Sequence, residues 1–293
     1  MRILVFGASG MLGHKLIQVL QENFEVFGTI RGEFGEVERR FGAFQKDKII
    51  TGVSAEKPDT LRQAIGQVKP DVVINAIGII KQIPDSKNVI TTLTANSIFP
   101  HRLAELSSEF GFRLITVSTD CVFSGSRGNY TELDVPDAID LYGKSKNLGE
   151  VIADNCLTLR TSIIGHELSS LHSLVDWFLS NRGGKVKGYV NAIYSGFPTI
   201  VFAGIIDSLI RDHPGLTGLY HVSSDPINKY DLLMLINSAY SAGVDIEPFE
   251  DFKIDRSLDS TQFKEATGFK SKGWHEMVEI MAGDAKIYET WKQ

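Results

Sequence analysis

The first thirteen residues constrain the fold more than any other stretch of this chain. Ile3-Leu4-Val5-Phe6 is a continuous run of large apolar side chains, the pattern of a strand buried on both faces. It leads directly into Gly7-Ala8-Ser9-Gly10-Met11-Leu12-Gly13, three glycines at GxxGxxG spacing that open a stretch of helical period, Gly13 to Gln21. Strand, glycine turn and helix in that order predict an α/β fold in which backbone N–H groups converge at the positive end of the first helix. A Cβ there would obstruct a pyrophosphate. The turn is therefore a candidate dinucleotide site, with Gly7, Ser9, Gly10, Met11, Leu12 and Gly13 around the phosphates. Glycines also gather in turns for steric reasons alone; the strand before and the helix after favour the binding reading.

The same alternation continues. Apolar runs at Phe24 to Ile30, Asp71 to Ile77, Arg113 to Ser118 and Cys156 to Thr161 alternate with helical periods at Thr60 to Val68, Thr94 to Phe110 and Tyr142 to Asn155. This predicts a Rossmann-type, doubly wound parallel sheet with right-handed crossovers. After about Arg160 the pattern loosens, with irregular stretches at Gly165 to Ser170, Arg182 to Gly188 and Ser195 to Thr199. Helical segments at Val201 to Arg211, Lys229 to Ala242 and His275 to Trp291 follow, with a strand-like Gly218 to Ser223. The expected division is a dinucleotide-binding domain over 1–158 and a smaller, mainly substrate-binding C-terminal domain over 159–293, some of whose segments return to the sheet.

Composition narrows the partners. The 30 basic and 36 acidic side chains give a net charge of -6, which offers no footprint for nucleic acid. Cys121 and Cys156 are the only cysteines and neither sits at metal-ligand spacing, so no disulfide framework and no metal site are expected. No apolar run approaches the ~20 residues that span a bilayer, and Met1-Arg2 passes straight into the first strand without a signal-peptide pattern. A cytoplasmic protein acting on small molecules, alone or as a homodimer, is the expectation.

Several positions carry chemistry. Where an acidic residue would hold a ribose 2′-hydroxyl, the second strand ends Gly28-Thr29-Ile30-Arg31. A carboxylate there would repel a 2′-phosphate, whereas Arg31 would bond it, which favours NADP, with NADPH preferred and NADH usable. A solvated loop arginine is the alternative. Tyr142-Gly143-Lys144-Ser145-Lys146 places Tyr142 and Lys146 one helical turn apart on one face. A phenol with a pKa near ~10 needs a nearby cation to act in proton transfer at neutral pH. Upstream, the strand beginning at Arg113 ends in Ser118-Thr119-Asp120, setting hydroxyls at the carboxyl end of a strand, where open α/β sheets bind ligands.

Glycine turn, Asn75-Ala76-Ile77-Gly78, Ser118-Thr119-Asp120 and YxxxK occur in an order that resembles extended short-chain dehydrogenases/reductases. More narrowly, the chain resembles the dTDP-4-dehydrorhamnose reductase group along nearly its whole length. The matching stretches are Pro70 to Ala76, Ser118-Thr119-Asp120-Cys121-Val122-Phe123, Leu141 to Lys146, Leu159-Arg160-Thr161-Ser162, Gly196-Phe197-Pro198-Thr199 and Gly218-Leu219-Tyr220-His221. The resemblance implies a nucleotide-diphospho-4-keto-6-deoxysugar substrate between the domains, reduced with NADPH in polysaccharide biosynthesis. It further implies that Thr119 polarises the keto oxygen, Tyr142 protonates it, Lys146 also touches the nicotinamide ribose, and Ala76, Ile77 and Gly78 border the cofactor.

Two departures bear on the sugar. Cys121 stands where the family often has tyrosine, and Lys253-Ile254-Asp255-Arg256-Ser257-Leu258-Asp259 replaces an Arg-Pro-x-x-Ser-x-Leu segment. Asp120, Cys121, Ser162 and Arg256 are candidate substrate contacts, with structural roles as the alternative for Ser162 and Arg256. In GDP-fucose synthases a cysteine at the place of Cys121 works with a downstream histidine, for which His172 fits better than His166; the resemblance thus extends to an epimerase/reductase. Against this stands a small buried thiol filling a tyrosine-sized site. A non-catalytic NADP-binding regulatory subunit is the alternative from another class. Cys121 at the position of a dehydratase glutamate speaks against a 4,6-dehydratase.

Overall fold

All the apolar runs become neighbouring parallel strands. The structure, a computed structural model, describes residues 1–38, 42, 44–81 and 84–289. Its strands are β1 (Arg2–Phe6), β2 (Glu25–Thr29), β3 (Ile49–Ile50), β4 (Val72–Asn75), β5 (Arg113–Thr119), β6 (Cys156–Thr161), β7 (Ile163–Ile164), β8 (Lys185–Tyr194), β9 (Phe197–Pro198), β10 (Gly218–His221), β11 (Ile227–Asn228) and β12 (Asp245–Asp255). The principal helices are α1 (Gly13–Leu20), α2 (Pro58–Val68), α3 (Phe99–Phe110), α4 (Leu141–Leu148), α5 (Leu174–Ser180), α6 (Thr199–Asp212), α7 (Lys229–Ala239), α8 (Thr261–Thr267) and α9 (Trp274–Asp284). The large sheet has the order β10-β6-β5-β4-β1-β2-β3, with every pairing parallel. Strand order reverses between β1 and β4, which opens the crevice in which such sheets take ligands.

Burial on both faces explains why these strands read as unbroken apolar runs. Ile3, Val5, Ile74, Ile115, Leu157 and Leu159 point to one side and pack with Leu16 of α1, Phe202 and Ile206 of α6 and Met277 of α9. Leu4, Phe6, Val73 and Leu114 point to the other, against Leu61 and Ile65 of α2 and Phe99 and Leu103 of α3. Phe6 and Phe99 meet edge to face at 5.6 Å. The late strand β10 joins the sheet at β6, and the chain after Arg160 thereby contributes to the same sheet as the chain before it.

Three elements differ from expectation. The helix expected over Tyr142 to Asn155 stops at Leu148 and the chain turns at Gly149, which must be glycine because a Cβ there would stand 1.8 Å from the carbonyl oxygen of Asn96. The irregular stretch at Arg182 to Gly188 conceals the start of β8, a ten-residue strand that pairs with β12 and β11 in a separate sheet. Its partner β12 is largely exposed, so it shows no apolar alternation to read. The helical segment expected from His275 to Trp291 is α9 followed by a short turn, Lys286–Glu289, and Trp291 lies outside the described residues.

That C-terminal turn folds back on α1. His14 donates from Nδ1 to the Gly10 carbonyl (2.7 Å) and accepts at Nε2 from the Tyr288 hydroxyl (2.6 Å). Lys15 pairs with Asp284 at 2.5 Å. Among the described residues no helix is long and apolar enough to cross a membrane.

Candidate active site

The glycine turn is shaped by contacts that only glycine permits. Gly7 adopts φ +87, in the left-handed region, and a Cβ on it would meet Ile77 at 2.9 Å and Ala76 at 3.2 Å. A Cβ on Gly13 would fall 2.0 Å from the Gly7 carbonyl oxygen, so the first turn of α1 can close only over a glycine. Ser9 and Gly10 are exposed at the tip, and Ala76 and Ile77, at the end of β4, lie against Gly7. The turn presents its glycines and the exposed Ser9 at the start of α1, which fits the close approach of a dinucleotide pyrophosphate. Arg31, just beyond β2, is exposed and forms no ion pair among the described residues. The Glu36 carboxylate stands beside the neighbouring Gly32, an acidic group that the sequence pattern does not place there.

At the far end of β5 the chain turns sharply. The Thr119 side chain caps the turn Asp120–Val122, accepting from the Cys121 N–H at 3.1 Å and donating to Asp120 at 3.1 Å. Helix α4 rests directly on this turn, since a Cβ on Gly143 would stand 2.2 Å from the Cys121 carbonyl oxygen. Asp140 caps α4 by accepting from the Gly143 N–H (3.0 Å), and Lys81 bridges to Asp140 at 2.9 Å while lying over the Tyr142 ring. Along the helix, Ser145 binds Asn96 (3.0 Å), and Ser97 donates to the Ser145 carbonyl (2.7 Å). These bonds fix the face that carries Tyr142 and Lys146.

The resulting geometry brings three of the sequence candidates together. Thr119 and the Tyr142 hydroxyl lie close to each other, and the Lys146 ammonium donates to the Val117 carbonyl two residues upstream of Thr119 (2.8 Å). Burial raises the Tyr142 pKa above the ordinary phenol value, with Cys121 adding to the rise and Thr119 opposing it. Burial lowers Lys146 to about 8, against the pull of Glu150. The phenol is thus held protonated, as a donor, beside a lysine whose proton is labile near neutral pH.

Charge in the cleft is set by Asp120. Burial raises its pKa, while Arg256 and, more weakly, Lys229 act to lower it. Arg256 is held by its Nε bond to the Phe123 carbonyl (2.8 Å). Lys229, at the start of α7, has its own pKa lowered by burial. Ser162 is half-buried, with Gly196 and the Tyr194 hydroxyl packed against it. Lys81, Lys229 and Tyr194 were not among the sequence candidates. Lys81 and Tyr194 flank the Asn75 to Gly78 and Gly196 to Thr199 stretches without belonging to them, and no spacing in the sequence marks any of the three as a site residue.

Cys121 and His172 are not brought together in this way. Burial and Asp120 push the Cys121 thiol up to about 12, the opposite of the tuning towards neutrality that epimerisation needs. His172 sits exposed on a loop, its backbone N–H donating to Glu167 at 2.9 Å. His166 is buried elsewhere, donating to Asp176 (2.6 Å) and accepting from the Tyr240 hydroxyl (2.9 Å).

Comparison with known proteins identifies the family. The profile of the RmlD substrate binding domain matches residues 1–286. A dTDP-4-dehydrorhamnose reductase of Aggregatibacter actinomycetemcomitans is 26% identical over 247 residues, covering 80% of this chain and 78% of that one. Methionine adenosyltransferase 2 subunit beta of Rattus norvegicus is 24% identical over 265 residues, covering 82% and 72%. Among solved structures, dTDP-4-dehydrorhamnose reductase from Bacillus anthracis str. Ames in complex with NADP shares the fold with a TM-score of 0.80 at 20% identity, over 97% of this chain and 99% of that one. With nearly its whole length matched and the glycine turn, β5 turn and YxxxK helix in one crevice, the chain belongs to the RmlD substrate-binding-domain family.

Proposed function

We propose that this chain is an NADPH-dependent reductase of the keto group in a nucleotide-diphospho-4-keto-6-deoxysugar. The observation that carries the reading is the convergence of buried Thr119, half-buried Tyr142 and buried Lys146, whose ammonium donates to the Val117 carbonyl, at the carboxyl end of β5. Two neighbouring hydroxyls suit a keto oxygen that gathers negative charge as it is reduced, with Thr119 turning its proton from Asp120 to the substrate. Thr119 would orient that oxygen, Tyr142 would deliver the proton, and Lys146, protonated below about pH 8, would restore it to the phenol. The glycine turn and Arg31 would hold the pyrophosphate and 2′-phosphate of NADPH, which supplies the hydride equivalent when bound. Asp120, Ser162 and Arg256 line the side of the cleft where the sugar would lie.

The experiment is to offer the protein a panel of dTDP-, UDP- and GDP-linked 4-keto-6-deoxysugars and follow NADPH absorbance. Stoichiometric oxidation with one carrier supports the reading, and no oxidation with any of them overturns it. The reading includes a cytoplasmic location and a homodimer. Ile98 and Leu148, 44% and 61% exposed, share one surface groove that a second copy would cover, and sedimentation equilibrium reads the mass.

One observation favours a second reading. The similarity to a methionine adenosyltransferase subunit beta is nearly as strong as that to the reductase, which is compatible with an NADP-binding regulatory subunit. Fixed-ratio co-purification with an unrelated enzyme, together with no turnover across the sugar panel, would select it.

A further inference from the structure

Behind the catalytic corner runs a buried polar row that the reaction, as read above, does not use. Ser118 on β5, Arg160 on β6 and His221 on β10 stand side by side in the register of three neighbouring parallel strands. Glu150, just past the end of α4, drops onto that row. Arg160 donates to it twice, from Nε and from Nη2, each at 2.7 Å, and the Ser118 hydroxyl donates to the same carboxylate at 2.7 Å. Arg160 Nη1 reaches His221 Nε2 at 3.1 Å, and His221 Nδ1 donates to the Tyr130 carbonyl at 2.9 Å. Those two contacts require the neutral tautomer with the proton on Nδ1. Burial, with Arg160 adding, lowers the His221 pKa to about 4 and keeps it in that form.

An ion pair whose side chains are 5% and 6% exposed is poorly explained by stability alone, because desolvation cancels much of the attraction. Its placement is more informative. Ser118, which the carboxylate grips, lies between Val117, whose carbonyl receives the Lys146 ammonium, and Thr119, which stands beside the Tyr142 hydroxyl. The clamp therefore ties the end of α4 to the one residue that separates the two active-site anchors on β5.

We propose that Glu150, clamped by Arg160 and backed by His221, is the positioning residue of Lys146: it locks the end of α4 to the tip of β5 and carries a carboxylate four residues, about one helical turn, beyond the lysine. The inference rests on the reading of Lys146 as part of the reductase site. The charged and titratable groups around this corner are Tyr142 on α4 itself, Lys81 and Asp140 at its start, Asp120 and Cys121 beyond β5, Arg160 on β6, His221 on β10 and Glu132, which accepts from the His221 backbone N–H at 2.8 Å. Among them and Glu150, it is the Glu150 charge that supports the protonated lysine.

The test follows the lysine directly. In protein labelled with ¹³Cε-lysine, the Lys146 resonance, assigned through Lys146→Arg, is titrated by NMR with no substrate present. The wild-type midpoint is expected at about 8. Glu150→Gln keeps an acceptor for Ser118 but removes the charge, and is expected to lower the midpoint by about one unit. The pH at which kcat falls should move with it. Glu150→Asp should retain the wild-type midpoint. If Glu150→Gln folds poorly around an unpaired Arg160, the double variant Glu150→Gln, Arg160→Met removes both charges and should fold while keeping the lowered midpoint. An unchanged midpoint in the folded variants, accompanied only by a lower Tm, overturns the proposal. Absence of turnover on every sugar nucleotide would remove the reductase reading and leave the NMR result to decide the clamp.

Discussion

Tyr142 must keep its proton until the keto oxygen takes it, and its burial against Thr119 and Cys121 does this by raising the phenol pKa. Tyr142→Phe is therefore expected to leave NADPH affinity nearly unchanged in a fluorescence titration while lowering kcat by ~10²-fold or more. Equal turnover in both proteins would take the phenol out of the reaction. Arg31 poses a different question, because its guanidinium is exposed and the Glu36 carboxylate stands one residue away at Gly32. If Arg31 bonds a 2′-phosphate, Arg31→Ala should raise the KM for NADPH by about tenfold, the equivalent of ~1.4 kcal/mol, and leave that for NADH alone. A parallel rise for both cofactors would mean that Arg31 does not read the phosphate.

Helix α4 is the element on which the site turns, and its two ends are fixed by different means. Its start is capped by Asp140, and its end is set by the close approach of Gly149 to Asn96, where a Cβ would stand 1.8 Å from a carbonyl oxygen. Gly149→Ala should therefore push α4 off its seat, lowering Tm by several degrees and kcat by roughly tenfold, since Lys146 is one turn away. Gly66→Ala is the matched control. Gly66 lies within α2, and a Cβ added there would meet nothing within 4 Å, so the substitution should stabilise the protein by about 0.5–1 kcal/mol in thermal unfolding and leave turnover alone. A fall in kcat with Gly66→Ala, or none with Gly149→Ala, would separate turnover from the seating of α4.

For the molecule as a whole, two fully buried histidines tie distant parts of the chain together and make stability depend on pH. His14 on α1 bonds Tyr288 near the C-terminus, and burial, with Lys15 adding, lowers its pKa to about 3; His221 on β10 is lowered to about 4. Both folded values lie below 6.5, so between there and about 4 the unfolded chain binds more protons than the folded one. Stability is accordingly lost as pH falls through that window, at up to roughly 1.4 kcal/mol per pH unit for each histidine. Urea unfolding at pH 7, 6 and 5 should show it, with a shallower slope in His221→Gln; a flat profile would contradict the burial assigned to these rings. The large parallel sheet, the glycine turn and the placement of Tyr142 and Lys146 one turn apart on one helix are legible in the chain before it folds. Each is written in local periodicity, because a strand buried on both faces must be apolar throughout and a helix repeats every turn. Where α4 ends became visible only in three dimensions, since Gly149 answers to Asn96, and so did the pairing of β8 with β12, since an exposed strand carries no apolar alternation. The same holds for the surroundings of Cys121, the exposed position of His172, and the arrival of Lys81, Lys229 and Tyr194 at the cleft. The physical reason is common to these: charge and burial at a site are set by neighbours far apart in the chain, and no spacing along the sequence records who those neighbours are.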